Sequence, residues 1–168
     1  MVVTTEIIRD LRAKTGAGVM DCKKALEESD GDMSKAISLL KEWGISKVQK
    51  KSSRSANEGV VETYVHAGGR IGVILELNCE TDFVARTPEF LNLAHDLALQ
   101  IASMDPKSID DEDSHDDTED FDGETRLMQQ DFVKDPTQTI SDLITEAVSR
   151  IGENILVRRF TRYELGKS

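Results

Sequence analysis

The chain is predicted to be an α+β protein. Three short helices are followed by a core in which a small antiparallel sheet, of about three strands, is covered by helices on one face. Three observations predict this. Apolar residues recur at helical spacing from Thr4 to Gly44. Period-two alternation runs from Gly59 to Leu77, interrupted by Ala67-Gly68-Gly69-Arg70. A long helical stripe, Phe90, Leu93, Ala94, Leu97 and Ile101, comes next.

The first helix places Ile7, Ile8, Leu11 and the aliphatic stem of Arg12 on one face, with Thr4 or Thr5 as its cap and Gly16-Ala17-Gly18 as its stop. The second carries Met20, Ala25 and Leu26, with Asp21 near its start where a carboxylate suits the helix dipole. Asp30-Gly31-Asp32 is a turn. Asp32 caps a third helix that turns Met33, Ala36, Ile37 and Leu40 inward and closes at Trp43-Gly44. About forty residues with so few apolar side chains form a marginal unit. Residues 1–46 are therefore expected as one three-helix domain, 47–57 as a basic linker, and 58–168 as the α+β core. The linker, read with a helical start, holds Lys47, Lys50, Lys51, Arg54 and three serines; a solvated connector explains it better than a phosphate or RNA patch.

Within the core, Val61, Thr63 and Val65 share one parity, and Val60, Glu62, Tyr64 and His66 the other. The two glycines at 68 and 69 signal a hairpin, and Ile71 to Leu77 is the returning strand. A helix runs from about Pro88 to Met104, a short one is expected from Leu127 to Val133, and another from Thr139 to Ile151, stopped at Gly152. Asn154 to Tyr163 is the last strand.

The formal net charge of −11 is local. Residues 105–124 hold eleven acids against Lys107, so the remainder of the chain is close to neutral. That tract is expected to be a disordered, solubilising insert. Nothing is basic enough to make nucleic acid the main partner. No run is apolar and long enough for a membrane-spanning helix, and the start lacks a basic region followed by an apolar one, so a cytoplasmic protein is expected. Cys22 and Cys79, far apart, suit reduced thiols better than a disulfide framework.

The chemistry-bearing constellations mostly fail. Asp120-Phe121-Asp122-Gly123 resembles part of a calcium loop, but counting from Gly123 puts Thr118 at the first ligand position and Gln129 at the closing one. Gly16-Ala17-Gly18 is too short for a phosphate cradle and follows a helix. No His, Cys and carboxylate set has zinc spacing. Cys79 with His66 or His95 is a conceivable thiol–imidazole pair, but no third group stands out to orient it. Neither a cofactor nor a metal is expected.

The feature that resists a bland reading is Asn78-Cys79-Glu80-Thr81-Asp82-Phe83-Val84-Ala85-Arg86, a corner between a strand and a helix. An acid beside a large aromatic at a corner offers an apolar wedge and an oxygen ligand together, where binding residues concentrate. Phe83 reads equally well as the first buried residue of the following helix.

Three stretches together carry a family resemblance: Ile8-Arg9-Asp10-Leu11-Arg12-Ala13-Lys14-Thr15-Gly16-Ala17-Gly18-Val19-Met20-Asp21-Cys22-Lys23-Lys24-Ala25-Leu26, then Leu77 to Arg86, and Ile151-Gly152-Glu153-Asn154-Ile155-Leu156-Val157-Arg158-Arg159-Phe160. In order and spanning nearly the whole chain, they resemble the translation elongation factor Ts family. The resemblance implies a ubiquitin-associated-like three-helix domain joined to an α+β core. It also implies a guanine-nucleotide exchange factor for elongation factor Tu, which performs no bond chemistry and so is not an enzyme. In the family the Asp-Phe of Thr-Asp-Phe-Val enters the partner near its magnesium site; here that motif is Thr81, Asp82, Phe83 and Val84. The positions matching the N-terminal contact with the GTPase are Arg12, Val19, Met20 and Lys23, with Val19 where the family usually has Met. The chain resembles the short form, in which two copies pair. The His66-Ala67-Gly68-Gly69-Arg70-Ile71-Gly72 hairpin resembles one that the long form carries in its second subdomain. The implied arrangement is a homodimer in which one subunit uses Asp82 and Phe83 while the other offers His66.

Overall fold

The computed structural model describes residues 3–110 and 126–167. Its contacts divide the chain into two units, Met1–Arg54 with Thr145–Asn154, and Ser55–Ile144 with Ile155–Ser168.

The first unit holds α1 (Thr5–Thr15), α2 (Val19–Glu28) and α3 (Met33–Lys51). Thr4 caps α1, its hydroxyl accepting from Ile7 N–H at 3.4 Å. Asp32 caps α3, accepting from Lys35 N–H at 3.0 Å; both caps follow from the sequence. Leu11, Cys22, Ala25, Leu26 and Ala36 form the buried centre, with Ile7, Ile8, Met33, Ile37, Leu40 and Trp43 packed around it. Met20, expected on the inward stripe, is 72% exposed, and Cys22 takes the inward place. The Arg12 stem, expected on the inner face, is likewise exposed.

The third helix does not stop at Gly44. A Cβ on Gly44 would sit 3.3 Å from the Thr145 methyl, so this glycine leaves room for the Thr145 side chain and is not a helix stop. The polar stretch expected as a connector therefore begins as helix, and its lysines are used in packing. Lys47 pairs with Asp21 at 2.7 Å, and Lys51 donates to the Gly152 carbonyl. Asn154 donates to the Arg54 carbonyl at 2.9 Å.

The second unit is built on β1 (Glu58–Val65), β2 (Ile71–Cys79) and β5 (Leu156–Glu164). The sheet order is β1-β2-β5 and both pairings are antiparallel. The β1–β2 turn contains Gly68 and Gly69, both at positive φ, as the hairpin signal requires. The pairing of β2 with β5 slips at Glu76/Leu77, where Glu76 meets Arg159 and Leu77 meets Val157. Arg158 is the extra residue of this bulge, and its guanidinium donates to the Ala56 carbonyl at 3.2 Å and the Asn78 side chain at 3.4 Å.

α5 (Pro88–Met104) lies on β1 and β2. Its predicted stripe, Phe90, Leu93, Ala94, Leu97 and Ile101, is buried with Val73, Leu75 and Leu77 of β2. Between β2 and α5 sits a four-residue helix, α4 (Asp82–Ala85). The helix expected over Leu127–Val133 is only a single 3-10 turn, Leu127–Gln129, followed by a small hairpin of β3 (Asp131–Phe132) and β4 (Asp135–Thr139). The reason is a competing set of partners. The wholly buried Gln100 amide of α5 donates to the Gln130 side chain at 3.2 Å and the Asp131 carbonyl at 3.0 Å, and its oxygen accepts from Val133 N–H at 2.8 Å. Those backbone groups are thereby taken from any helical ladder. α6 (Ile140–Ile151) begins with a reciprocal cap in which Asp142 N–H donates to the Thr139 hydroxyl and Thr139 N–H to the Asp142 carboxylate, each at 3.1 Å. The part of the acidic tract from 111 to 124, including most of the rejected calcium-loop stretch, lies outside the described residues.

Both cysteines are buried and form no disulfide. Cys22 Sγ faces the Ala17 carbonyl at 3.6 Å, and burial pushes its thiol pKa up. Cys79 S–H donates to the Thr81 carbonyl at 3.2 Å.

Two outcomes follow. Replacing Gln100 with Leu keeps the volume but removes the acceptor of the Val133 N–H and a donor from two acceptors, which should cost about 2–4 kcal/mol, read as a lower urea midpoint at unchanged m-value. Iodoacetamide should label both thiols only through opening of the fold; labelling of the native protein at the rate of an exposed thiol would contradict this packing.

Candidate functional site

The corner after β2 is built by two threonine caps one turn apart. Thr81 has extended backbone (φ −128°, ψ 150°), and its hydroxyl accepts from Val84 N–H at 3.3 Å, which starts α4. Thr87 does the same for α5, accepting from Phe90 N–H at 3.3 Å, and its O–H donates back to the Val84 carbonyl at 2.8 Å. Pro88, the first residue of α5, adds a φ already suited to helix. The chain between the caps is thus held as a single turn.

That turn decides which side chains project. Successive residues of a helix are rotated by about 100°. Val84 and Ala85 are 7% and 6% exposed and face the interior of the unit. Asp82 and Phe83 are then carried round to the opposite side, and Phe83 is 79% exposed. Its ring is therefore not the first buried residue of the next helix; Phe90 fills that place. Asp82 pairs with Arg86, four residues on. Both side chains are well exposed, so the pair contributes little and its members can be exchanged for others. Of the four predicted corner residues, Val84 differs from the other three: it is buried and anchors the turn inside its own subunit. Thr81 is exposed but its hydroxyl is engaged as a cap.

His66 sits at the far end of the same hairpin. Glu58 pairs with Cys79 and Val65 with Gly72, so the length of β1, roughly 25 Å at about 3.3 Å per residue, separates His66 from the corner. The structure therefore does not join His66 and Phe83 into one patch of a single chain. In the first unit, Val19, Met20 and Lys23 lie at i, i+1 and i+4 of α2 and are all exposed, as is Arg12 on α1. Lys23 pairs with Glu27 at 3.7 Å.

The thiol–imidazole pair is not formed. Cys79 is turned to the Thr81 carbonyl, whereas His95 Nδ1 faces Glu62 Oε1 at 3.4 Å and its ring meets Tyr64. Among the described residues, no three His, Cys, Asp or Glu are grouped to hold a metal ion. No helix among them is long and apolar enough to cross a membrane.

Sequence reasoning missed one surface. The sheet face away from α5 carries three cross-strand rows: Val65–Gly72–Tyr163, Thr63–Ile74–Thr161 and Val61–Glu76–Arg159. Val61, Val65, Ile74 and Tyr163 are all at least 50% exposed there, and Arg159 pairs with Glu76 at 2.8 Å. The alternation of β1 contained the signal, but period two does not say which parity is covered.

The chain matches the family described as Elongation factor TS over residues 24–119. It is 44% identical to elongation factor Ts of Carboxydothermus hydrogenoformans, with 99% of this chain and 90% of that protein aligned. It is 44% identical to elongation factor Ts of Thermodesulfovibrio yellowstonii over 100% of this chain and 98% of that one. With elongation factor Ts of Desulfitobacterium hafniense the identity is 46%, over 98% and 90%. At this identity over nearly the full length of both partners, and with the capped, outward-facing Asp82-Phe83 corner in place, the chain belongs to the elongation factor Ts family.

Proposed function

We propose that this chain is the guanine-nucleotide exchange factor of a translating cytoplasm. It binds elongation factor Tu carrying GDP and speeds GDP release by pressing Asp82 and Phe83 toward the partner's magnesium and phosphate site. The exposed Phe83 ring, held out by the buried Val84 and Ala85, carries this reading. An exchange factor needs no bond chemistry. It must bind the nucleotide-free partner better than the nucleotide-bound one, and by linkage it weakens GDP by the factor that GDP weakens it. Burying the phenyl ring in a partner pocket contributes about 1.5–3 kcal/mol. Asp82 can leave the solvated Arg86 pair and compete for donors or cation in the site that opens. Arg12, Val19, Met20 and Lys23 of the three-helix, ubiquitin-associated-like unit supply the anchoring contact.

The open sheet face supports a homodimer. A twofold pair brings each patch against its own copy. Val61, Val65, Ile74 and Tyr163 would be covered, and the Glu76–Arg159 pairs carry both signs of charge, so the face is complementary to itself. Pairing resolves the separation of Phe83 from His66: one subunit presents the wedge and its partner presents the hairpin end.

Phe83→Ala should lower stimulated GDP release by about 10- to 100-fold, the kinetic equivalent of that burial, with the melting temperature nearly unchanged because the ring is largely exposed in its own unit. A fluorescent-GDP displacement assay reads it, and wild-type rates would refute the wedge. Ile74→Glu should convert a dimer to a folded monomer in sedimentation equilibrium; a wild-type chain that sediments as a monomer while fully active would end the dimer reading. Mixing Phe83→Ala with His66→Ala subunits should restore about a quarter of wild-type sites, because random twofold pairing leaves half the molecules with one intact site. No recovery would mean that each subunit acts alone.

A further inference from the structure

Glu62, Tyr64 and His66 share the sheet face on which α5 lies, at successive positions along β1 and its extension. The Tyr64 hydroxyl is 3.1 Å from His66 Nδ1. On its other side the Tyr64 ring meets His95 of α5 edge-on, with centroids 5.7 Å apart and planes at 75°, an arrangement favoured by the ring quadrupoles. His95 Nδ1 in turn faces Glu62 Oε1 at 3.4 Å. The His66 backbone is already tied: its N–H donates to the Ile71 carbonyl and its carbonyl accepts from Gly69 N–H, both at 2.9 Å. With the main chain set, only two side-chain torsions of His66 remain, and the Tyr64 hydroxyl is the group placed to hold them.

We propose that Tyr64 is a positioning residue for His66: its O–H donates to Nδ1, fixes the imidazole as the Nε2–H tautomer, and aims that N–H outward at an acceptor on the partner GTPase, while His95 and Glu62 hold the phenol in place. The proposal rests on the reading of His66 as a partner contact. A phenol is a strong donor and an imidazole nitrogen a strong acceptor, so the proton belongs on the oxygen. Which ring nitrogen of a histidine carries its proton is set by the bond its other nitrogen makes. An imidazole at the tip of a hairpin otherwise spreads over several rotamers and both tautomers. Ordering it before the encounter removes a cost that binding would have to meet.

Tyr64→Phe keeps the ring and its packing on His95 and removes only the hydroxyl. In the GDP-release assay it should raise the half-saturating concentration of the factor by about five-fold, the value of roughly one hydrogen bond, with the saturated rate unchanged. His66→Ala should do at least as much, and adding Tyr64→Phe to it should do nothing further. Additive losses, or wild-type half-saturation in Tyr64→Phe beside a defective His66→Ala, would overturn the proposal. The second readout is the tautomer itself, from long-range ¹H–¹⁵N correlation of the His66 ring at about pH 8, above the ordinary imidazole range. The wild type should show one tautomer and Tyr64→Phe a mixture; equal populations in the two proteins overturn the positioning role. Wild-type half-saturation in His66→Ala overturns the contact itself and the aiming with it. That failure is distinguishable, because Tyr64→Phe still mixes the tautomers.

Discussion

The corner at 81–87 depends on one constraint: Val84 and Ala85 must be buried, and a single helical turn then has no choice but to turn Asp82 and Phe83 out. The two threonine caps make that turn rigid. Each satisfies backbone N–H groups that a helix start would leave without partners, and Thr87 also takes the Val84 carbonyl. A four-residue helix has no stability of its own. It persists here because a strand ends on one side of it, a long amphipathic helix starts on the other, and its middle is held by burial.

This arrangement suits the wedge proposed above. A wedge on a mobile loop would lose part of its binding energy to ordering itself, whereas one carried by caps and core is ordered before it meets its partner. The exposed ring is unfavourable in the isolated subunit, and that stored apolar surface is recovered only against another molecule. Asp82 pairs with Arg86 on the exposed surface, and such a pair is weak enough for the proposed exchange of partners. The same logic applies to the other end of the hairpin, where Tyr64 holds His66. On the proposed reading, separation of the two ends along β1 gives the open sheet face its importance, since pairing of copies is what would bring a wedge and a hairpin end to one target.

Much of this was legible from residues alone. The stripe from Phe90 to Ile101, the hairpin around Gly68-Gly69 and the caps at Thr4 and Asp32 are local devices, written in spacing and turn chemistry. Three readings changed in the fold. Gly44 resembles a helix stop until Thr145, a hundred residues away in sequence, is found against it. The stretch after Leu127 resembles a helix until Gln100 claims its backbone groups. Met20 fits a core stripe until Cys22 fills the place. In the first two cases a partner distant in the sequence outweighed a local preference that is itself worth only a fraction of a kcal/mol per residue; in the third, a neighbour two residues on took the inward place.

The three N-terminal helices, the β1–β2 hairpin, the long helix after it, the last helix and strand, the three signature stretches and the family they belong to were determined by the sequence by itself, because periodicity, capping and motif spacing are properties of neighbouring residues. The direction in which Phe83 points, the exclusion of Val84 from the exposed set, the gap between His66 and the corner, and the open face of Ile74 and Tyr163 were decided only by the tertiary structure. Alternation and helical spacing state that two faces exist. Which of them meets solvent is settled by what the rest of the chain lays against it.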